Sequence, residues 1–363
     1  MFEDLRFDLD EKKKQGLQRE LVFSNRLVDW TSNDYLGLSN HPEVRKALKK
    51  SLEENLPLSA SASPLLGGYT PAHTEAVQSF CSFTGRPAAL AFSSGYQANL
   101  GILPALAKKR VVFSDELNHA SLIDGIRLSQ RPCHVFKHNN LNHLEDLMKK
   151  TGELKLIVTE SLFSMSGDFS NLEGLATLAC KYNALIFLDE AHSTGLFGPK
   201  LSGRAEFLRE KDFVITLHTG GKALASSGAF VAGSALIRDY LINNCRSFIY
   251  STAPSPIVMR QWTAILKVLK KEKHRAVLVK QKALEMRRAL ELPQTESPIL
   301  FINLKTTERA LKATKELHKN NCFIPAIRYP TVPKDRQGLR IVICQHHTKE
   351  EMGKLAELIK KIN

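Results

Sequence analysis

No apolar run in this chain approaches the roughly 18 residues of a membrane span. Its first fourteen residues carry charges of both signs and lack the apolar core of a signal peptide. The six cysteines (Cys81, Cys133, Cys180, Cys245, Cys322, Cys344) are scattered, with no C-x-x-C pair. That argues against a disulfide framework or a zinc site and fits reduced thiols in a cytoplasmic protein; no metal is expected. Asp189-Glu190-Ala191-His192 spells a helicase motif, but no G-x-x-x-x-G-K-[ST] accompanies it, so a helicase is excluded. Internal repeats and low-complexity tracts are absent. Aromatic residues make up 7% and do not interleave with the basic ones, so nucleic acid is not an expected partner, and neither is a membrane.

What is present describes a large globular protein. The 363 residues are 43% hydrophobic and 24% charged, which excludes wholesale disorder and predicts one large domain plus a smaller one. A chain of this length buries roughly three quarters of its unfolded surface and needs no covalent staple. The net charge is +14. Residues 260–363 hold 23 basic and 10 acidic side chains, so +13 of that net lies in the last segment. Such a surplus reads either as a Lys-rich solvated surface or as a field attracting an acidic partner or phosphorylated substrate.

Short apolar runs alternate with helical patterns through the first 235 residues. Strands are predicted at 88–92, 110–113, 154–161, 184–189, 213–218 and 229–232, with helices at 96–107, 120–128 and 172–182. Continuous apolar strands alternating with helices predict a mainly parallel α/β sheet buried on both faces. His41-Pro42 opens a further helix, with Pro in its first turn. After Pro254-Ser255-Pro256 the pattern changes to a long Lys- and Arg-rich helix (257–290), a strand (299–304), a helix (308–320), two short apolar segments and a terminal helix (349–362). The expected division is an N-terminal segment 1–38, a large domain 39–255 and a small α+β domain 256–363.

Three blocks carry chemistry. Ser93-Ser94-Gly95-Tyr96 follows a strand and opens a helix, where backbone N–H groups bind anions; a plain strand-to-helix turn looks the same. Asp189 ends a buried strand, where a carboxylate is costly unless it faces a cation, and His192 lies three residues on. Lys222 follows a strand and two glycines, a setting that lets an amine approach a bulky carbonyl ligand. A surface-turn lysine is the alternative.

Taken together, the order phosphate turn, buried Asp, glycine-flanked Lys resembles the pyridoxal-phosphate enzymes of fold type I, the aspartate-aminotransferase-like fold. Further motifs narrow the resemblance to the α-oxoamine synthases, which condense an amino acid with an acyl thioester and lose carbon dioxide. These are Thr31-Ser32-Asn33-Asp34-Tyr35-Leu36-Gly37-Leu38, Leu117-Asn118-His119-Ala120-Ser121-Leu122-Ile123-Asp124-Gly125, Ser161-Leu162-Phe163-Ser164-Met165-Ser166-Gly167-Asp168, Phe248-Ile249-Tyr250-Ser251-Thr252-Ala253 and Tyr329-Pro330-Thr331-Val332-Pro333. They run in family order across nearly the whole chain.

The resemblance implies a cofactor, pyridoxal 5'-phosphate, and a set of roles. Lys222 bonds the cofactor aldehyde and acts as acid and base at the amino-acid Cα. Asp189 pairs the ring nitrogen. His119 stacks on one ring face and Ala191 lies on the other. Ser164 and His192 bond the ring hydroxyl oxygen. Gly95, Tyr96 and Thr219 meet the phosphate. The family's sites lie at a homodimer interface, so Ser251 and Thr252 are expected to reach the neighbour's phosphate. Arg19, His119, Thr331 and Arg340 are the candidates for substrate, the arginines because guanidinium binds carboxylate bidentately. The motifs look most like the member that joins L-alanine to a pimeloyl thioester, on CoA or an acyl carrier protein, early in biotin synthesis. The member using glycine and acetyl-CoA is the runner-up. A non-catalytic binding protein on the same fold is the rival, disfavoured because Lys222, Asp189, His119 and His192 are all present. One departure bears on the acyl group: Ser59-Ala60-Ser61-Ala62-Ser63-Pro64 replaces the family's glycine-serine run ending in a basic residue.

Overall fold

The computed structural model describes residues 1–24, 27–209 and 211–362. The chain divides into two compact units. One comprises Asp34–Ser164 and Asp168–Leu278; the other comprises Met1–Asn33, Met165–Gly167 and Val279–Asn363. The expected boundary at residue 256 falls at the start of helix Pro256–Lys271, which lies in the first of these units.

That unit is built on a seven-stranded sheet. Its strands are β1 (Ala88–Phe92), β2 (Arg110–Asp115), β3 (Cys133–Phe136), β4 (Leu154–Glu160), β5 (Ala184–Asp189), β6 (Val214–Thr219) and β7 (Ala229–Gly233). Their order is β1-β7-β6-β5-β4-β2-β3. The neighbours run parallel except β7, which is antiparallel to both β1 and β6. This is the α/β, mainly parallel class that the apolar runs predict. Leu156, Val158, Phe187, Ile215 and Leu217 pack with Ile102, Leu106 and Leu122 of two helices. Phe113, Ile157, Ile186 and Leu188 form a second cluster with Leu175 and Leu178 of the helix Leu172–Lys181. Each fully buried Leu or Phe contributes on the order of 1.5–3 kcal/mol. Strand β3 is absent from the sequence-based expectation because only Phe136 of its four residues is buried.

The predicted helix 257–290 is two helices, Pro256–Lys271 and His274–Ala289. The chain leaves helical geometry at Glu272, whose carboxylate accepts from Arg275 Nε at 2.6 Å and lies 3.2 Å from His41 Nε2.

The other unit holds a three-stranded antiparallel sheet, β8 (Ile299–Asn303), β9 (Ala326–Ile327) and β10 (Gly338–Val342), in the order β9-β10-β8. Helices Thr307–Lys319 and Lys349–Ile362 supply Leu317, Leu355 and Ile359 to a core shared with Trp30, Leu300 and Ile341. The N-terminal chain belongs to this unit: Val28–Asp29 pairs in parallel with Cys322–Phe323. Among the described residues no helix is long and apolar enough to cross a membrane.

Candidate active site

The parallel strands β4, β5 and β6 end on one side of the sheet, where ligands bind in open α/β folds. A cavity of about 370 Å³ opens there, walled by Gly95, Tyr96, His119, Asp189, Thr219 and Lys222, among others. Ala191 also borders it. Strand ends and helix starts thus bring together residues that lie more than 120 positions apart in the chain.

Ser94 caps the helix Gly95–Ala107, its hydroxyl accepting from Gln97 N at 3.1 Å. The remaining N–H groups of a first turn lack partners within the helix. A Cβ on Gly95 would sit 2.6 Å from Thr219 Cγ2, so only glycine leaves the helix end open toward β6. Thr219 Oγ1 is buried without a hydrogen-bond partner among the described residues. Two donors with nothing to hold, side by side, suit a phosphate.

Asp189 is 6% exposed. Its Oδ1 accepts from Ala191 N at 2.8 Å, and Asn99 Nδ2 approaches its Oδ2 at 3.4 Å. His119 caps the next helix, Ala120–Leu128, with Nδ1 accepting from Ser121 N at 3.2 Å. Burial holds the His119 imidazole below its ordinary pKa, against the opposing pull of Asp189. Its ring meets that of Tyr96 edge-on, with centroids 6.3 Å apart. The Tyr96 hydroxyl bonds Asp124. Glu160, at the end of β4, accepts from His119 N at 2.7 Å and from the Ser164 backbone. Burial, then the neighbouring Asp189, pushes the Glu160 carboxyl up to about 8. It is therefore protonated at neutral pH.

Lys222 Nζ lies 2.7 Å from His192 Nε2, and His192 Nδ1 lies 2.6 Å from the hydroxyl of fully buried Tyr35. Ser164 contributes to the site through its backbone bond to Glu160. Ser251 and Thr252 follow the short helix Arg246–Ile249; the Thr252 carbonyl accepts from Ser93 Oγ at 3.5 Å, and Ser93 borders the cavity. Arg19, Thr331 and Arg340 lie in the other unit. There Arg19 Nη2 donates to Thr331 Oγ1 at 3.1 Å, and Arg340 Nη2 donates to Asn33 Oδ1 at 3.0 Å. Asn99, Ser121, Glu160 and Tyr35 are site residues to which sequence reasoning gave no role.

The donor set fits a phosphorylated pyridine aldehyde. An open helix end and an orphaned hydroxyl suit its phosphate, a carboxylate its ring nitrogen, and an amine in the same cavity its aldehyde.

Comparison with known proteins agrees. The family described as aminotransferase class I and II matches residues 25–359. An 8-amino-7-oxononanoate synthase of Marinobacter nauticus is 34% identical, the match covering 99% of this chain and 96% of that protein. A solved 8-amino-7-oxononanoate synthase from Francisella tularensis has a TM-score of 0.79 at 29% identity, covering 92% of this chain and 97% of that one. A serine palmitoyltransferase from S. paucimobilis, solved with bound PLP, has a TM-score of 0.90 at 25% identity, covering 99% of this chain and 97% of that one.

Proposed function

The chain belongs to the class I and II aminotransferase family, and within it to the α-oxoamine synthases; on that footing we propose that it condenses L-alanine with a pimeloyl thioester. The products are 8-amino-7-oxononanoate, carbon dioxide and the free thiol, a step of biotin synthesis. The observation that carries the reading is the convergence of Lys222, Asp189 and the open helix end at Gly95 on one cavity.

Pyridoxal phosphate, when bound, supplies an electron sink for the electron pair left at the amino-acid Cα. Lys222 would hold its aldehyde, Asp189 its ring nitrogen, and Gly95, Tyr96 and Thr219 its phosphate. The Lys222 amine takes the Cα proton of alanine, and the Cα then bonds the thioester carbonyl carbon as the thiol leaves. After carbon dioxide departs, Lys222 returns a proton to the same carbon. His192 keeps the lysine oriented: its Nε2 lies 2.7 Å from the Lys222 nitrogen and its Nδ1 lies 2.6 Å from the Tyr35 hydroxyl oxygen. Neutral Glu160 anchors the backbone N–H of His119 and so fixes the ring that flanks the site. Arg19, Thr331 and Arg340 are the proposed substrate contacts, and a homodimer with shared sites, completed by Ser251 and Thr252, is the proposed assembly. A cytoplasmic location is part of the proposal.

Product analysis tests the reading. Alanine, glycine and serine are each offered with a panel of acyl thioesters on CoA and on an acyl carrier protein. Selective use of alanine and pimeloyl is expected. Selective use of glycine and acetyl-CoA overturns the substrate assignment. A chain with no borohydride-sensitive yellow band overturns the enzyme assignment.

A further inference from the structure

Asn99 is 1% exposed, on the helix whose first turn faces the cavity. Its Nδ2 lies 2.9 Å from Ser121 Oγ and 3.4 Å from Asp189 Oδ2. Ser121 Oγ in turn lies 2.8 Å from His119 Nδ1. One hydrogen-bond chain therefore runs His119–Ser121–Asn99–Asp189, joining the residues placed at the ring face and at the ring nitrogen.

The direction of every bond in that chain follows from its Asp189 end. An ionised carboxylate only accepts. The Asn99 amide must therefore turn its NH₂ toward Asp189, since the flipped amide would set oxygen against oxygen. The same nitrogen gives its second N–H to Ser121 Oγ. That leaves the Ser121 proton to point at His119 Nδ1, which already accepts the Ser121 backbone N–H. With two donors aimed at Nδ1, the proton of the neutral imidazole sits on Nε2. The Asn99 Oδ1 has no partner among the described residues. A buried amide oxygen left that way costs on the order of 1–3 kcal/mol, so packing alone does not account for an asparagine here, whereas its two N–H bonds do.

We propose that Asn99 is a positioning residue that transmits the polarity of Asp189 to His119, aiming the Ser121 hydroxyl at Nδ1 and so reinforcing the Nε2–H tautomer of His119. The link is a property of the protein alone. It rests on the functional reading above only for what its two ends do in the reaction.

The test is nitrogen NMR on the full-length chain carrying ¹⁵N-histidine, with and without pyridoxal phosphate. In the parent protein His119 shows an unprotonated Nδ1 and a protonated Nε2. Asn99→Asp keeps the shape but replaces the donor by an acceptor. The Ser121 proton then turns to the introduced carboxylate, so His119 Nδ1 keeps only the Ser121 backbone N–H as donor and its nitrogen resonance shifts. An unchanged Nδ1 resonance in Asn99→Asp overturns the proposal. Because a second buried acid could prevent folding, a further comparison is decisive by itself. Asp189→Asn, at the far end of the chain of bonds, shifts the His119 resonances more when Asn99 is present than in an Asn99→Leu background, where only the through-space effect of the lost charge remains. Equal shifts in both backgrounds overturn the proposal. No substrate enters either measurement, so a wrong substrate assignment and a wrong link are told apart.

Discussion

Lys222 and His192 meet nitrogen to nitrogen at 2.7 Å, a contact that forces one of the two to be the proton donor and the other the acceptor. The lysine is thereby held at the cavity wall by a side chain from β5's end rather than by its own flexible stem. Its removal deletes chemistry and leaves the core untouched. Lys222→Ala should abolish condensation, a loss of at least about a thousandfold, with an unchanged circular dichroism spectrum and melting temperature. Condensation near the parent rate in that variant would falsify the mechanism.

Asp189→Asn removes a negative charge at nearly constant shape. The expected loss in kcat is about a hundredfold or more, equivalent to roughly 3 kcal/mol of transition-state stabilisation. A steady-state assay of the cofactor-saturated variant checks it. A variant that binds cofactor and keeps most of its rate contradicts the assignment of Asp189.

Thr219→Val separates binding from folding. The hydroxyl has no partner among the described residues, so its loss should leave stability unchanged or raise it by up to about 1 kcal/mol. The same change should weaken pyridoxal-phosphate binding about tenfold, near 1.4 kcal/mol. Denaturant melts of the cofactor-free chain and fluorescence titration with the cofactor measure the two effects. A loss of stability with unaltered binding would place the hydroxyl outside the phosphate site.

His138 lies between two carboxylates, Asp115 at 2.9 Å and Asp168 at 2.6 Å. Burial lowers its pKa, but the two acids outweigh that and raise it to about 9. The charged form therefore stabilises the fold in full below the ordinary value near 6.5, and this contribution is lost as pH rises through about 9. On the order of 2 kcal/mol should disappear across that window, and His138→Gln should lack this loss. Urea melts at stepped pH decide; parallel profiles for the two proteins refute it.

The basic surplus of residues 260–363 predicts a salt effect confined to one substrate. If it steers an acyl donor carrying CoA phosphates or an acidic carrier, kcat/KM for the donor falls steeply with ionic strength while that for alanine stays level. Lys270 and Lys271 are exposed, and reversing both to Glu should mimic high salt. A flat profile for the donor leaves the surplus as solvated surface.

The strands that carry the site were legible because burial on both faces writes a continuous apolar run, as in Ala184–Asp189. Edge strand β3 was not, because three of its four residues face outward or only half inward. Lys222, Asp189 and the Gly95 turn were legible because each breaks a local rule: an amine after two glycines, an acid ending a buried strand, a glycine at a helix start. Glu160 also ends an apolar strand, and Asn99 is the one polar side chain after Gln97 in its helix. Both were signals in the sequence, but their meaning depends on neighbours from other elements. Tyr35 carried no such mark, since only the fold brings its hydroxyl to His192.

The pairing of Val28–Asp29 with Cys322–Phe323 has a consequence for how the chain is made. The two partners are separated by about 290 residues, so a ribosome has released nearly the whole chain before Trp30 finds the strands that bury it. Until then the Trp30 indole, fully buried in the folded protein, waits uncovered. Closure of so long a loop is slow compared with local helix formation. The interval before residue 322 emerges is thus the period when a nascent copy is most open to association with another, and a chain halted short of Cys322 stays in that condition.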